Sequence, residues 1–476
     1  MSGLDAIDKR LAEKTLKSYE RLGIALPDDA QRAKFKALKE ELSSLAIKFA
    51  KNNNEDKTAR QFTREQLRGM PESFVNELEK DSDGLYSVTV KYPHLFPILK
   101  FCAVPETRAA LEEANGTKCA ENVAIIERMI ALRAEAAAML GYKTHADFVL
   151  EERMAKKQET VAKFLSELSE KLTPKLEAEK AKLLALKKAE EGDNSEPKLT
   201  SSDWRYYMRV LKEKEHQLDE EQIKEYFPMA HVTQQMLATY EVIFDCKFNE
   251  VTSTVQTWHE DVKCFAVFDT VRFDGDFLGY LFLDLYPREN KYGHAAAWPL
   301  VPTFTTDDGQ RSPVVTAMVA NFTKPLQDGT PSLLKHDEVV TFFHELGHCM
   351  HNLLSTARYP RFSGTSVERD FVEAPSQALE NWCWQKAYLA KLSSHYKTKE
   401  PLPEKLQKAM LDAKLADAGV HNKRQLFFGL YDQRLHTSNG KLDTTALYHE
   451  MWESMTDIQN NHKTFPLASF GHMAGG

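Results

Sequence analysis

The residues in this 476-residue chain whose types and spacing could do chemistry lie in the run Thr341-Phe342-Phe343-His344-Glu345-Leu346-Gly347-His348-Cys349-Met350-His351. A helix advances about 100° per residue, so His344 and His348 fall on one face, one turn apart, and both imidazoles can reach a single cation with Glu345 beside them. Histidine, glutamate and histidine at this spacing form the H-E-x-x-H pattern of a catalytic zinc site in a peptidase. Two neutral imidazoles hold the metal, and the metal lowers the pKa of a bound water to about 7. The neighbouring glutamate then takes the proton as that water attacks a peptide carbonyl. The expected ligands are therefore His344 and His348, the expected base is Glu345, and the expected cofactor is one Zn2+ per chain.

Five letters can also match by accident on an ordinary buried helix, so the surroundings must carry the reading. The segment enters through Gly329-Thr330-Pro331-Ser332, sets Asp337 and Glu338 where a first turn would favour acids, and runs free of glycine and proline up to Gly347. Phe342, Phe343, Leu346, Met350, Leu353 and Leu354 make it apolar on most sides, as in a helix buried within a large domain. Ahead of it the hydrophobic period changes to that of strands: Cys264 to Phe268, Phe277 to Tyr286, His294 to Phe304 and Val314 to Phe322, with turns expected at Asp274-Gly275 and Asp307-Asp308-Gly309. A small twisted sheet is thus expected against the metal helix. It either only packs there or also offers an edge strand on which an extended peptide could pair.

A catalytic zinc takes three protein ligands and keeps one position open, so the two histidines are incomplete. Glu368, Asp370, Glu373 and Glu380 follow within one run. Glu373 and Glu380 are seven apart on one helical face, and Phe371, Val372, Leu379 and Trp382 suggest that part of this segment is buried, where an acid needs a cation. Spacing alone does not choose between Glu368 and Glu373.

The rest of the chain reads as mostly helical: Leu4 to Leu22, Pro27 to Phe49, Thr63 to Leu78, and Pro105 to Cys246 with breaks at Asn115-Gly116 and Gly141. Tyr86 to Lys91 alternates like a strand. Gln158 to Glu191 reads as a solvated surface helix rather than a coiled coil, because Pro174 interrupts its heptads, and Glu191 to Pro197 reads as a loop. A net charge of -8, with 70 acids, 62 bases and no basic cluster, argues against nucleic acid and anionic membranes as partners. The six cysteines show no C-x-x-C pair and read as reduced thiols. No signal-like apolar stretch follows Met1, and no apolar run approaches the 18 or so residues of a membrane span. A soluble catalyst of small molecules or peptides fits this composition, and a cytoplasmic monomer is expected, mitochondrial if a further N-terminal segment carried a signal.

The run from Ala320-Asn321-Phe322-Thr323-Lys324-Pro325 through His344-Glu345-Leu346-Gly347-His348 and Phe362-Ser363-Gly364-Thr365 to Val367-Glu368-Arg369-Asp370-Phe371-Val372-Glu373-Ala374-Pro375 closely resembles the thimet oligopeptidase and neurolysin family, the M3 metallopeptidases. Trp258-His259-Glu260-Asp261-Val262, Tyr286-Pro287-Arg288-Glu289, Lys291-Tyr292-Gly293-His294 and Phe470-Gly471-His472-Met473-Ala474-Gly475-Gly476 extend the resemblance over nearly the whole chain. The resemblance implies zinc on His344, His348 and Glu373, Glu345 as general base, and His472 as a substrate contact near the scissile carbonyl. It also implies a mainly α fold with a small β-sheet, a two-lobed zincin-type oligopeptidase with a deep central channel. An N-terminal helical scaffold is expected over 1–104 and the M3 peptidase domain over 105–476, helical over 105–246, strand-rich over 250–323, and helical again from 336.

In that family a tyrosine-rich segment follows the Gly-Gly at Gly475-Gly476 and the N-terminal helices start earlier, so this sequence is expected to be the interior of a longer oligopeptidase. The resemblance implies a zinc-dependent endopeptidase of short peptides. The alternative is a catalytically weak zinc- and peptide-binding fragment lacking the oxyanion tyrosines.

Overall fold

The computed structural model describes residues 3–192, 198–216, 219–271, 275–289, 291–326, 329–438 and 442–475. They are mainly helical with two small sheets. Two compact units emerge: a helical unit of Lys17–Gln217 with Asp412–Gly476, and a mixed unit of Met1–Leu16 with Leu218–Leu411.

In the helical unit, strands β1 (Ala59–Phe62) and β2 (Tyr86–Thr89) pair antiparallel, Phe62 opposite Tyr86. Phe62, Leu67 and Val88 join Leu95, Ile98 and Leu111 of two following helices in one apolar cluster. The helix expected over Thr63 to Leu78 is replaced by turns and a short helix, Glu72–Asn76. The reason is backbone geometry: Gly69 has φ +89°, an added Cβ there would sit 2.8 Å from the Phe101 carbonyl oxygen, and Pro71 follows. Asn115-Gly116, expected as a break, lies inside the helix Pro105–Thr117. Gly116 is there for packing, since a Cβ would come within 2.5 Å of the Thr464 side chain. Gly141 does end its helix, with φ +85°.

The helix Gln158–Glu191 forms over its expected length with Pro174 inside it, yet it is not simply a solvated surface helix. Its second half buries Leu176, Glu179, Leu183 and Lys187. Glu179 accepts backbone N–H bonds from Gly419 (3.0 Å) and Val420 (2.9 Å) in the first turn of the helix Ala418–His436. Of the expected loop at Glu191 to Pro197, residues 193–197 lie outside the described residues.

The mixed unit carries a five-stranded sheet: β3 (Cys246–Glu250), β4 (Lys263–Asp269), β5 (Phe277–Asp284), β6 (Ala296–Val301) and β7 (Val314–Val319), in the order β3-β4-β5-β7-β6. Only β5 and β7 run parallel. The last four match the strand-rich runs, whereas β3 falls where helix was expected to end. The helix Met229–Phe244 stops at Asp245, which is left-handed at φ 50°, and the next five residues pair with β4. Asp274 of one expected turn lies outside the described residues, while Gly275 has φ +89°.

The helix His336–Leu353 lies against one face of this sheet and buries Val339, Phe342, Phe343, Leu346, Cys349, Met350 and Leu353 in a common core with Leu281, Leu283 and Met318. The other face carries a separate cluster of Val262, Cys264, Phe282 and Ala317. The metal-motif helix is thus clamped by its apolar residues, and its one polar stripe is the part with chemistry. All six cysteines are buried, and none of them forms a disulfide.

Candidate metal centre and active site

The helix His336–Leu353 starts with the Glu338 carboxylate accepting the Lys335 N–H at 2.8 Å, which satisfies an orphan donor of its first turn. Two turns later His344 and His348 stand on one face with ring centroids 4.9 Å apart. After the helix, the chain turns back through Gly364, at φ +53°, packed so closely on Asn352 that a Cβ would overlap its side chain. Asn352 Oδ1 accepts from both the backbone N–H (3.0 Å) and the hydroxyl (3.1 Å) of Thr365. The returning helix Glu373–Glu380 then lies across the first one at Gly347, where a Cβ would be only 2.9 Å from Ser376 Cα. Gly347 therefore sets how closely the two helices approach.

That approach places Glu373 Oε2 3.1 Å from His344 Nε2 and 3.1 Å from His348 Nε2. Ligand atoms of all three residues lie within 4.8 Å of one another. Ser376 Oγ donates to Glu373 Oε2 at 3.0 Å and steadies the carboxylate. The other acids of the segment are used differently. Glu368 pairs with Lys14 (3.4 Å) and Arg10 (3.6 Å), and Asp370 is exposed. Glu380, one of the four candidates, accepts from His344 Nδ1 at 2.7 Å. That bond fixes the tautomer, leaving the Nε2 lone pair free to face Glu373 and His348. The expected burial around this segment is only partial, since Phe371 is 39% and Trp382 37% exposed.

Glu345 sits beside this group and is buried. Burial raises its pKa above the ordinary carboxylate value; His344 pulls the other way, Glu373 adds to the rise, and a hydrogen bond from the Ala297 backbone N–H tempers it. A base whose proton affinity is lifted toward neutrality is suited to taking a proton from water. Burial lowers the pKa of His348, which favours the neutral, ligating form. Ala297 belongs to β6, at the edge of the five-stranded sheet, so an edge strand borders the glutamate of the motif.

Four of the five expected site residues, His344, Glu345, His348 and Glu373, are thus brought together. The fifth, His472, belongs to the helical unit, exposed on the short helix Gly471–Gly475 with its ring 5.6 Å from that of Phe470. Glu380 as an imidazole holder and Ala297 as a donor to Glu345 were not foreseen. The seven-residue interval from Glu373 was a signal for Glu380; a backbone N–H leaves none.

A helix-borne His-Glu-x-x-His pair completed by a glutamate from a second helix defines a metallopeptidase-type centre. Comparison with known proteins agrees: residues 98–476 match peptidase family M3, and the chain belongs to that family. It is similar to the thimet-like oligopeptidase of Dictyostelium discoideum, 41% identical with 100% of this chain and 72% of that protein covered. It is also similar to saccharolysin of Saccharomyces cerevisiae, 39% identical with 99% of this chain and 69% of that protein covered. A solved structure described as an oligoendopeptidase F shares the fold at 12% identity, with a TM-score of 0.50 over 98% of this chain and 68% of that one. The chain is a peptidase, and its family is one of metallopeptidases.

Proposed function

We propose that this protein is a zinc-dependent endopeptidase of short oligopeptides, with His344, His348 and Glu373 as the metal ligands and Glu345 as the general base. The observation that carries the reading is the convergence of two imidazole Nε2 atoms on one carboxylate oxygen, each at 3.1 Å, beside a buried glutamate. Two nitrogens and a carboxylate oxygen are the donor set of a catalytic zinc with an open position. Zinc held there would supply an acidified water and polarise a carbonyl.

The chain's own residues then do the following. Glu380 holds His344 in the ligating tautomer. Glu345, buried beside the ligands, receives the proton of the attacking water and can return it to the leaving amine. β6, as an edge strand, can accept an extended peptide as an additional strand and lay its backbone alongside Glu345. On the family resemblance, His472 contacts the substrate, and 1–104 act as a scaffold to a peptidase domain of 105–476. A cytoplasmic monomer that takes free peptides is part of the same proposal; among the described residues no helix is long and apolar enough to cross a membrane.

The decisive experiment measures zinc content together with cleavage of internally quenched short peptides, before and after chelation and zinc restoration. Near-stoichiometric zinc with chelator-sensitive internal cleavage is expected. Chelator-insensitive cleavage would refute the metal role, and zinc binding without cleavage would favour the weak peptide-binding alternative.

A further inference from the structure

On the sheet face turned away from the metal helix, a cleft of about 410 Å³ is lined by Trp258, Tyr292, Trp298 and Leu300, with Ala317 and Val319 of β7 beneath them. Its aromatic walls are half exposed, Trp258 49%, Tyr292 49% and Trp298 43%. They are nevertheless held in place. Trp258 Nε1 donates to Asp284 Oδ2 at 2.9 Å, and the Tyr292 and Trp298 rings meet edge-on with centroids 5.6 Å apart. The charges in the floor satisfy one another: Arg288 binds Asp284 through two bonds of 2.7 Å, and Lys291 lies 2.9 Å from the same carboxylate and donates to three backbone carbonyls. With every floor charge committed, what the cleft offers a newcomer is an aromatic surface, so its complement is a neutral aromatic or bulky apolar group.

The position of the cleft says where such a group would come from. In β6 successive side chains point to opposite faces. Ala297 is opposite Met318, on the face of the metal helix, and Trp298 is opposite Ala317, on the face of the cleft. A peptide pairing with the free edge of β6 obeys the same alternation, because directly opposed residues share a face. The substrate residue beside Ala297 would turn its side chain toward the metal-helix face, and the next one, beside Trp298, would turn its side chain over the aromatic cleft. Pro299, with no N–H to donate, is tolerated because β6 is an edge.

We propose that this cleft is a specificity subsite: it selects peptide substrates carrying an aromatic or bulky apolar side chain at the position that pairs beside Trp298. The inference rests on the edge-strand binding mode proposed above.

The test uses quenched peptides identical except for one residue, scanned as phenylalanine or alanine through the positions around the cleaved bond. At one position, kcat/KM should favour phenylalanine by about tenfold, the effect of burying about half of such a side chain. In Trp298→Ala that ratio should collapse to near one, while Trp298→Phe should retain most of it and Tyr292→Ala should lower it partly. Independently, binding of the two peptides to zinc-loaded Glu345→Gln protein, followed by tryptophan fluorescence, should show the same preference and the same loss on Trp298→Ala. Cleavage without any preference, or a preference untouched by Trp298→Ala, would overturn the subsite while leaving the peptidase reading intact. Preferential binding that depends on Trp298 without cleavage would uphold the subsite and overturn the proposed catalysis.

Discussion

Two clusters of charge-bearing side chains, one in each unit, differ in burial and in what they leave open: Arg108, Lys187 and Asp203 are buried, whereas Glu373 is exposed and His344 half-buried. In the helical unit Asp203 receives Arg108 on Oδ1 at 3.0 Å, and Lys187 at 2.6 Å and Thr200 at 2.7 Å on Oδ2. Arg108 is fully buried and lies over the Tyr206 ring. Each acceptor there has a donor and each charge a counter-charge. In the mixed unit two imidazole nitrogens and a carboxylate oxygen turn lone pairs toward one point, and the bonds that order them, from Glu380 and Ser376, come from behind. A closed cluster ties helices together, whereas a convergent set of donors is built to hold a cation. Here the more buried cluster is the structural one, and what marks the candidate site is a set of lone pairs that converge.

The contrast can be broken at either cluster. The largest effect is expected for Glu345→Gln, which removes the proton acceptor and leaves every ligand in place. Turnover should fall by about 100- to 10,000-fold with zinc content unchanged, measured by metal analysis beside peptide cleavage. Zinc loss in that variant would contradict the role given to Glu345. Next, Glu373→Gln should weaken zinc binding far more than Glu368→Gln, which only frees Arg10 and Lys14; competition with a chelator reads the difference, and equal losses would undo the assignment.

Asp203→Asn should do the reverse, costing on the order of 3–5 kcal/mol of stability because buried cations lose their partner, with zinc affinity unaffected. Its pH dependence follows from the sign of the shift. Burial opposes ionisation of Asp203, but the bonds from Lys187, Thr200 and Arg108 together outweigh it and hold the pKa below the usual carboxylate value. A depressed carboxylate stabilises the fold above its unfolded-state pKa, and that contribution is lost as pH falls through the folded value. The gap between parent and Asp203→Asn in denaturant titrations should therefore be full at neutral pH and narrow below about pH 4. A gap that widened in acid would show that the cluster carries no net linkage of this kind.

The smallest effect is expected for Gly347→Ala. The new methyl group would press on Ser376 Cα and move the helix Glu373–Glu380 outward by a few tenths of an ångström. Zinc affinity should drop on the order of tenfold, the size of effect seen when ligand-orienting contacts are lost. Unchanged affinity would mean that the carboxylate reaches the metal without help from the helix spacing.

The sequence by itself determined what repeats locally or reacts chemically. The 3.6-residue period and the H-E-x-x-H letters placed His344 and His348 on one face with Glu345 beside them, and strand-like runs placed β4 to β7 ahead of them, because neighbours along a helix or strand have fixed relative directions. Local propensity misled where a long-range contact decided. Thr63 to Leu78 is bent by the Phe101 carbonyl against Gly69, Gly116 serves Thr464 rather than a turn, and β3 exists because β4 is there to pair with it. Four acids stood within thirteen residues of one another, Glu368 to Glu380, and their spacing was compatible with several of them as ligands. Only the tertiary structure divided their tasks, one to Arg10 and Lys14, one to the two Nε2 atoms, one to His344 Nδ1. The partner that decides a carboxylate's role lies on another element, at a distance set by how closely Gly347 lets two helices approach.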